Sequence, residues 1–248
     1  PLVEAEAANR VAILAGLVNA PLYIAHLTCA ETLERVQSAR QRGQRVFAET
    51  CPQYLLLSTD EYDRPGFEGA KYVLSPPLRD QANWPLLWEA LTEDALQVVS
   101  TDHCPWNYAT QKALGRHAFN AIPNGAPGIE TRIPLLFSEG VGKGRLSLQR
   151  FVEVCATSPA RIFGLYPRKG VIAVGADADL VIYDPQRRVT LSQANLHQRV
   201  DYCPYEGREV VGYPSVVLLR GEVIVENGQF VGRRGQGQFV RREVSCAY

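Results

Sequence analysis

Two short segments of this 248-residue chain bring metal-binding side chains to the end of an apolar run. Asp102 and His103 follow the run 96–101, and His26 follows the run 22–25. The carboxyl end of a strand is where a (β/α)8 barrel places its catalytic residues. Imidazoles and carboxylates also hold hydrolytic metal ions, which need one position open for water. The pattern therefore predicts a metallohydrolase, with Asp102 and His26 as candidate metal ligands.

Each of these residues also has a structural interpretation. An isolated histidine such as His26 is often satisfied by hydrogen bonds inside a fold, and Asp102 could cap the segment that follows it. The chain has four histidines and no His-x-His sequence. Its own residues therefore supply at most half of a three-histidine metal centre. His117 and His197 lie in polar segments and are expected to face solvent.

Ser75 is a possible nucleophile, because it lies between an apolar segment and two prolines. The Gly-x-Ser-x-Gly sequence that surrounds the nucleophile of α/β hydrolases is absent around it. Contact between the Ser75 backbone and a ligand is therefore the favoured interpretation.

The elements around these residues alternate between helix and strand, which predicts a parallel sheet. A helix over 4–19 precedes the strand that ends at His26, and another strand covers 45–49. Between them, Thr28 and Glu31 have the spacing of a capping box at the start of a helix. The strand 96–101 then leads to Asp102.

Two long loops, over 51–79 and 104–128, are rich in proline and glycine. Loops of this length inside a compact domain are usually functional or disordered. Two helices are expected after them, one that begins near Ser147 and one that Ser158 caps and Gly164 closes.

The pattern changes near residues 167–170, where a small β module begins. Residues 216–228 predict a hairpin, with turns at Arg220-Gly221 and Asn227-Gly228.

Composition argues against several classes of protein. Hydrophobic residues make up 46% of the chain, which is enough to form a core, and basic and acidic residues number 26 each. No global field therefore favours nucleic acid or an anionic membrane, and no apolar run approaches the ~20 residues of a membrane helix. The six cysteines form no Cys-x-x-Cys pair, which favours reduced thiols in a cytoplasmic protein. We expect a C-terminal piece of a longer protein, because the chain lacks methionine and opens inside a predicted helix.

Several segments, in this order, resemble the dihydropyrimidinase/D-hydantoinase family of cyclic amidohydrolases. Any one of them is weak evidence, but together they are highly specific and extend from residue 2 to about 225. They are 22–29 (LYIAHLTC), 49–55 (ETCPQYL), 69–79 (GAKYVLSPPLR), 101–105 (TDHCP), 122–125 (IPNG) with 128–130 (GIE), and 163–170 (FGLYPRKG).

This resemblance implies a (β/α)8 barrel with two Zn2+ ions in its active site, and a β-sandwich. Members open the ring of a cyclic amide, such as dihydrouracil, dihydrothymine or a hydantoin, and act in pyrimidine degradation. His26 matches a zinc ligand on the sixth barrel strand, and Asp102 matches the aspartate on the eighth, which is both ligand and proton shuttle. Ser75 and Asn124 match positions whose backbone groups hold the amide edge of the substrate.

The resemblance covers only the C-terminal half of such a protein. The His-x-His sequence, the carboxylated bridging lysine and a further histidine would lie upstream, so the chain alone is expected to be inactive and to bind zinc weakly. The resemblance predicts barrel strands six to eight over 1–168, a β-sandwich module over 169–231, and a tail over 232–248. Because such enzymes are commonly tetramers, the tail is expected to contact a neighbouring subunit in a homo-oligomer.

Two alternatives stay open at this stage. One is a non-catalytic scaffold resembling the dihydropyrimidinase-related adaptors, which share the fold but lack the metal ligands. The other is a different cyclic amidohydrolase, such as an allantoinase or a dihydroorotase. Retention of His26 and Asp102 argues against the first, and the segments 49–54 and 75–79 fit a dihydropyrimidinase better than the second.

Overall fold

The structure is a computed structural model that describes residues 1–245. Its helices and strands alternate in the first half of the chain, and strands dominate the second. They are α1 (Leu2–Leu17), β1 (Leu22–Ile24), α2 (Ala30–Gln41), β2 (Val46–Thr50), α3 (Pro52–Leu56), α4 (Asn83–Thr92), β3 (Val98–Val99), α5 (Arg132–Leu136), α6 (Leu148–Val152), α7 (Ser158–Ile162), β4 (Leu180–Thr190), β5 (Glu209–Leu219), β6 (Glu222–Glu226) and β7 (Gln229–Phe230).

The first three strands form a parallel sheet in the order β1-β2-β3, which confirms the predicted parallel pairing. Alternate residues of β2 are buried, namely Val46, Ala48 and Thr50. This alternation is what a strand requires when successive side chains point to opposite faces. α2 buries Leu33 and Val36, as expected for a helix whose apolar residues recur every three or four positions.

β1 and β3 are shorter than predicted, and the predicted capping box at Thr28 is wrong. β1 ends at Ile24, so His26 lies two residues beyond it, and α2 begins at Ala30 without a side-chain cap. The backbone N–H of Thr28 donates to Glu4 Oε1 at 3.0 Å, and the Thr28 hydroxyl donates to the same carboxylate. The hydroxyl oxygen, which would accept a backbone N–H in a capping box, instead accepts the Nε–H of Arg79 at 2.9 Å.

The helical segment after the second loop also differs from the prediction. α5 and a π-helical turn over Phe137–Val141 were not predicted. Ser147 caps α6 by accepting the N–H of Arg150, as expected. Ser158 caps nothing, because a π-helical turn over Glu153–Thr157 joins α6 directly to α7.

The second half of the chain contains a four-stranded sheet in the order β4-β5-β6-β7. β5 and β6 are antiparallel, as are β6 and β7, so the predicted hairpin is confirmed. Both residues of each predicted turn, Arg220-Gly221 and Asn227-Gly228, have positive φ. That is the geometry of the two-residue turns that match the twist of β-hairpins.

Contacts divide the chain into two compact units. One comprises Pro1–Arg132 with Thr190–Arg208, and the other comprises Ile133–Val189 with the residues from Glu209 onward. In the first unit, the Asp201 carboxylate accepts the N–H groups of residues 108 and 109, which ties 190–208 to the second loop. The predicted domain boundaries at 168/169 and 231/232 differ from this division and remain predictions.

Two further predictions, on membrane-spanning helices and on the cysteines, can be compared with the described residues. No helix within 1–245 is long and apolar enough to cross a bilayer. The five cysteines in that range are free thiols; the sixth, Cys246, lies outside the described residues together with the end of the predicted tail.

Candidate active site

His26 lies just beyond β1, on a loop that β2 holds in place. The backbone N–H of Leu27 donates to the carbonyl of Glu49 at 2.7 Å, and the hydroxyl of Thr50 donates to the carbonyl of Leu27 at 2.8 Å. His26 has a φ of 40°, which is uncommon for any residue but glycine. Its Nδ1 atom is buried and has no hydrogen-bond partner in the described part of the chain. A buried imidazole nitrogen without a partner is suited to a ligand that is itself an electron-pair acceptor, such as a metal ion.

Asp102 occupies the equivalent position after β3. It is half-buried, has a φ of 47°, and its carboxylate makes no hydrogen bond to residues 1–245. Left-handed backbone at a residue with a side chain costs roughly 1–2 kcal/mol, and such strain concentrates at functional sites. Both predicted metal ligands therefore share the same unusual backbone conformation at the end of their segments.

Glu49, which was not predicted as a site residue, lies at the end of β2 between these two positions. Its carboxylate accepts the hydroxyl of Tyr23 at 2.6 Å and, more weakly, the backbone N–H of His26 at 3.4 Å. Burial, then the negative charge of Glu49, raises the pKa of Tyr23 far above its ordinary value, so the phenol stays a hydrogen-bond donor. The signal for Glu49 in the sequence was a charged residue near the end of an otherwise apolar strand.

Glu49 and Asp102 both act electrostatically on the buried thiol of Cys51. Burial is the main cause that raises the pKa of the Cys51 thiol, and the carboxylates of Glu49 and Asp102 raise it further. Since β1 and β3 both pair with β2, and neighbouring strands are ~4.8 Å apart, the ends of β1 and β3 are separated by roughly 10 Å. Glu49 thus lies near the end of the middle strand, and His26 and Asp102 follow the two strands on either side of it, at one edge of the sheet.

This edge does not contain a complete metal centre of its own. Within residues 1–245, no group of three or more His, Cys, Asp and Glu side chains could hold a metal ion. The donors present, one imidazole and one carboxylate, are nevertheless of the types that bind zinc. His117 and His197 are exposed, as expected, and His197 pairs with Glu130 at 2.7 Å.

His103 is committed to the backbone of the second loop. Its Nδ1 atom accepts the N–H groups of Gly128 at 3.0 Å and Ile129 at 3.2 Å. Burial lowers the pKa of His103, and the neutral ring can accept at Nδ1 while it carries a proton on Nε2. His103 therefore holds the loop in place rather than adding a free nitrogen beside Asp102.

Ser75 and Asn124, which are far apart in the sequence, line one cavity of about 710 Å³. Both residues are exposed. The other lining residues are mostly apolar or aromatic: Tyr62, Gly66, Phe67, Gly69, Ala70, Val73, Leu74, Pro77, Phe119, Asn120 and Ile122. His26 and Asp102 are not among them, so the four predicted site residues form two groups.

Side chains hold the backbone next to both cavity residues. The hydroxyl of Tyr54 donates to the carbonyl of Pro76 at 2.9 Å, immediately after Ser75. The indole N–H of Trp106 donates to the carbonyl of Asn124 at 2.8 Å. Because Tyr54 is buried, its hydrogen bond is shielded from water, which strengthens it.

Comparison with known proteins decides the family. Residues 55–224 match the model of the amidohydrolase family. The chain belongs to that family. Amidohydrolases are typically metal-dependent, which agrees with the unpartnered nitrogen of His26 and the open carboxylate of Asp102.

The relatives of this amidohydrolase include hydantoinases. It is 50% identical to a D-hydantoinase of Ralstonia pickettii over 98% of this chain and 53% of the relative. It superposes on the crystal structure of a dihydropyrimidinase from Brevibacillus agri NCHU1002 with a TM-score of 0.96 and 49% identity, over 98% of this chain and 53% of that one. Superposition on a D-hydantoinase (dihydropyrimidinase) from Thermus sp. gives a TM-score of 0.97 and 46% sequence identity, over 100% of this chain and 54% of that one. The chain therefore spans about half the length of these relatives, and corresponds to their C-terminal half.

Proposed function

We propose that this amidohydrolase chain forms the C-terminal part of an enzyme that opens the ring of cyclic amides, with hydantoins, dihydrouracil and dihydrothymine as substrates. The observation that carries the proposal is the buried, unpartnered Nδ1 of His26 at the same sheet edge as Asp102. An imidazole and a carboxylate that follow β1 and β3, on either side of β2, suit one side of a metal centre. The D-hydantoinase relatives indicate which ring-opening reaction the site serves.

In this proposal His26 and Asp102 hold zinc together with ligands from the other half of the protein. Zinc, when bound, lowers the pKa of a water molecule and polarises the carbonyl of the ring. Asp102 would take a proton from the attacking water as the water oxygen adds to the carbonyl carbon. As the carbon–nitrogen bond breaks, Asp102 passes the proton to the leaving amide nitrogen, and an open-chain acid results.

Ser75 and Asn124 act through their backbone groups. An amide edge presents one carbonyl oxygen and one N–H, so it needs a donor and an acceptor placed at a fixed separation. The cavity that these two residues line has apolar and aromatic walls, which exclude water from that edge. Small-molecule sites are commonly built in this way, with few polar groups in an apolar pocket.

The resemblance of the sequence to this family also supports a proposal for the fold of the whole enzyme. We infer that β1–β3 are strands six to eight of a (β/α)8 barrel, and that β4–β7 belong to a β-sandwich. The chain alone is then inactive and binds zinc weakly, because the remaining ligands lie in the other half. A cytoplasmic role in pyrimidine degradation fits the free thiols of the described cysteines.

Assay of the full-length protein tests this function. We expect ring opening of dihydrouracil and of a 5-substituted hydantoin, loss of activity on chelation, and recovery with zinc at two ions per subunit. Allantoin and dihydroorotate serve as controls and should be opened much more slowly. Activity that resists complete metal removal would rule out the metal mechanism, and a preference for allantoin or dihydroorotate would favour the alternative enzyme class.

The non-catalytic scaffold is disfavoured by the geometry at His26 and Asp102. A protein that bound no metal would leave Nδ1 of His26 buried without a partner, which costs about 1–3 kcal/mol. It would also hold His26 and Asp102 in left-handed backbone conformations although their side chains bind nothing.

We also propose that the tail, residues 232–248, contacts a neighbouring subunit of a homotetramer. Part of it lies on its own chain, since the N–H of Glu243 donates to the carbonyl of Gly164 at 2.9 Å. Phe239 and Val244 are nevertheless 90% and 92% exposed, and such apolar side chains favour burial in an interface. Deletion of 232–248 should weaken assembly in sedimentation while zinc content is retained. An unchanged oligomer with unchanged thermal stability would contradict the proposal.

A further inference from the structure

Lys112 is a fully buried lysine without an acidic partner. Its relative exposure is 0%, and no ion pair involves it in the described part of the chain. Lysine is almost never fully buried unless it is paired. Burial lowers the pKa of Lys112 from 10.5 to about 8, because removing the ammonium from water disfavours its charge. The fold therefore bears a cost at this position that a leucine or methionine would avoid.

The amine of Lys112 donates to a single backbone atom, the carbonyl oxygen of Val73, at 3.1 Å. The same oxygen accepts the N–H of Gly125 at 2.9 Å. Val73 lies two residues before Ser75, and Gly125 directly follows Asn124. One carbonyl thus joins the two loops that line the cavity, and Lys112 supplies its second donor.

The loop around Gly125 has little freedom to move on its own. Gly125 has a φ of +110°, and a Cβ atom added there would lie 2.3 Å from the Sγ of Cys104. The N–H of Cys104 in turn donates to the carbonyl of Ala126 at 3.1 Å. The loop that carries Asn124 and Gly125 is therefore fixed against the segment that carries Asp102 and Cys104. The position of Ser75 relative to Asn124 then depends on how the segment 73–75 is held against that loop.

We propose that Lys112 is a positioning residue that fixes the spacing of Ser75 and Asn124, and thereby the affinity of the site for the amide edge of its substrate. Hydrogen bonds from a charged donor are about twice as strong as neutral ones, and this one is shielded from water. Without it, the Val73 carbonyl keeps the Gly125 N–H as a partner, so the fold survives. The segment 73–75 then gains freedom, which the substrate must remove on binding. This inference rests on the proposed function.

The test compares Lys112→Met with Lys71→Met in the full-length protein. Methionine keeps an apolar stem of similar length but donates no hydrogen bond. Lys71 is the matched control, because it lies two residues before Val73 and pairs with Glu68 at 2.5 Å, away from the Val73 carbonyl. Lys112→Met should raise KM about tenfold, the equivalent of ~1.4 kcal/mol, while kcat changes less than about threefold. Zinc content should stay normal, and Lys71→Met should match the wild type.

A rise in KM at constant kcat marks the loss of an interaction that binds substrate and transition state equally; a merely structural role would instead lower the active fraction. The second measurement is amide hydrogen exchange of a peptide that covers 122–128. It should exchange faster in Lys112→Met than in Lys71→Met, since the Gly125 N–H opens more often.

Each outcome decides the inference. An unchanged KM, or a loss of kcat alone, overturns the role of Lys112 even if the wild type is a competent hydrolase. If the wild type opens no cyclic amide, the proposed function fails separately, and the exchange data still decide whether Lys112 holds the two loops together. If Lys112→Met does not fold, Lys112→Gln, which keeps a donor on a shorter arm, should show the same shifts to a smaller extent.

Discussion

The two groups of site residues in this amidohydrolase are built in opposite ways. At the sheet edge, the side chains of His26 and Asp102 carry the expected chemistry and have few partners of their own. Around the cavity, backbone groups of Ser75 and Asn124 are expected to act, and side chains such as Trp106 hold them. The strain is also distributed differently, since the sheet edge has two non-glycine residues with positive φ, whereas the positive φ values at and beside the cavity belong to glycines, Gly66 and Gly125.

This difference has a physical reason. A metal ligand must keep its lone pair free until the ion arrives, so a partner inside the protein would compete with the ion. A backbone group that binds a small ring must instead be held at a fixed position, and only other groups of the protein can hold it. Substitution at the sheet edge should therefore remove chemistry, and substitution around the cavity should change affinity and stability.

The largest effect is expected from Asp102→Asn in the full-length protein. Asparagine is nearly isosteric and tolerates left-handed backbone, but it cannot accept the proton of a water molecule. We expect kcat to fall by a factor of at least about 10²–10⁴, with the fold retained. Asp94→Asn is the matched control, because Asp94 also has a positive φ of 60° and precedes β3 rather than following it. Near-normal kcat in Asp102→Asn would rule out the proton shuttle.

Gly125→Ala should have the next largest effect, and it acts on the cavity. Its Cβ would lie 2.3 Å from Cys104 Sγ, in a backbone conformation that alanine avoids. We expect a loss of stability of about 3 kcal/mol and a higher KM. Gly207→Ala has a similar φ, +78°, with nothing within 4 Å, and should cost only about 1–2 kcal/mol. Equal thermal shifts for the two variants would show that the Cys104 contact does not restrain this loop.

An effect of at most about 3 kcal/mol is expected in the pH dependence of stability, because a change of one in a pKa is worth ~1.4 kcal/mol. The pKa of Lys112 falls from 10.5 in the unfolded chain to about 8 in the folded protein. Between these values the unfolded state binds more protons, so the contribution of Lys112 to stability is lowest below pH 8 and rises toward pH 10.5.

The measurement is the difference in unfolding free energy between wild type and Lys112→Met across that pH range. Titration of tyrosines and cysteines is common to both proteins and cancels in the difference. The unfolding free energy of the wild type should increase relative to that of Lys112→Met as the pH rises from 8 to 10.5. A difference that stays flat would mean that Lys112 is not desolvated in the folded protein.

The sequence predicted local features where neighbouring residues decide the structure. Asn227-Gly228 forms a tight turn because asparagine and glycine tolerate positive φ, and Gly221 contributes the same freedom to the turn at Arg220-Gly221. Ser147 caps α6 because its hydroxyl oxygen accepts an N–H three residues on. The capping box at Thr28 was wrong because Glu4 and Arg79, far away in the sequence, bind the proton and the oxygen of the same hydroxyl. The π-helical turns after α5 and α6 had no signal of their own.

The order of residue types along this chain by itself determined the alternation of helix and strand, the parallel pairing and the segments that end in His26 and Asp102. Each follows from periodicity and from adjacency along the chain. Tertiary structure alone decided that Glu49 lies between those ends, that Ser75 and Asn124 share one cavity, and that Lys112 lies buried against the Val73 carbonyl. These relations join residues dozens of positions apart, and local preferences carry no information about them because the distances arise only when the loops pack together.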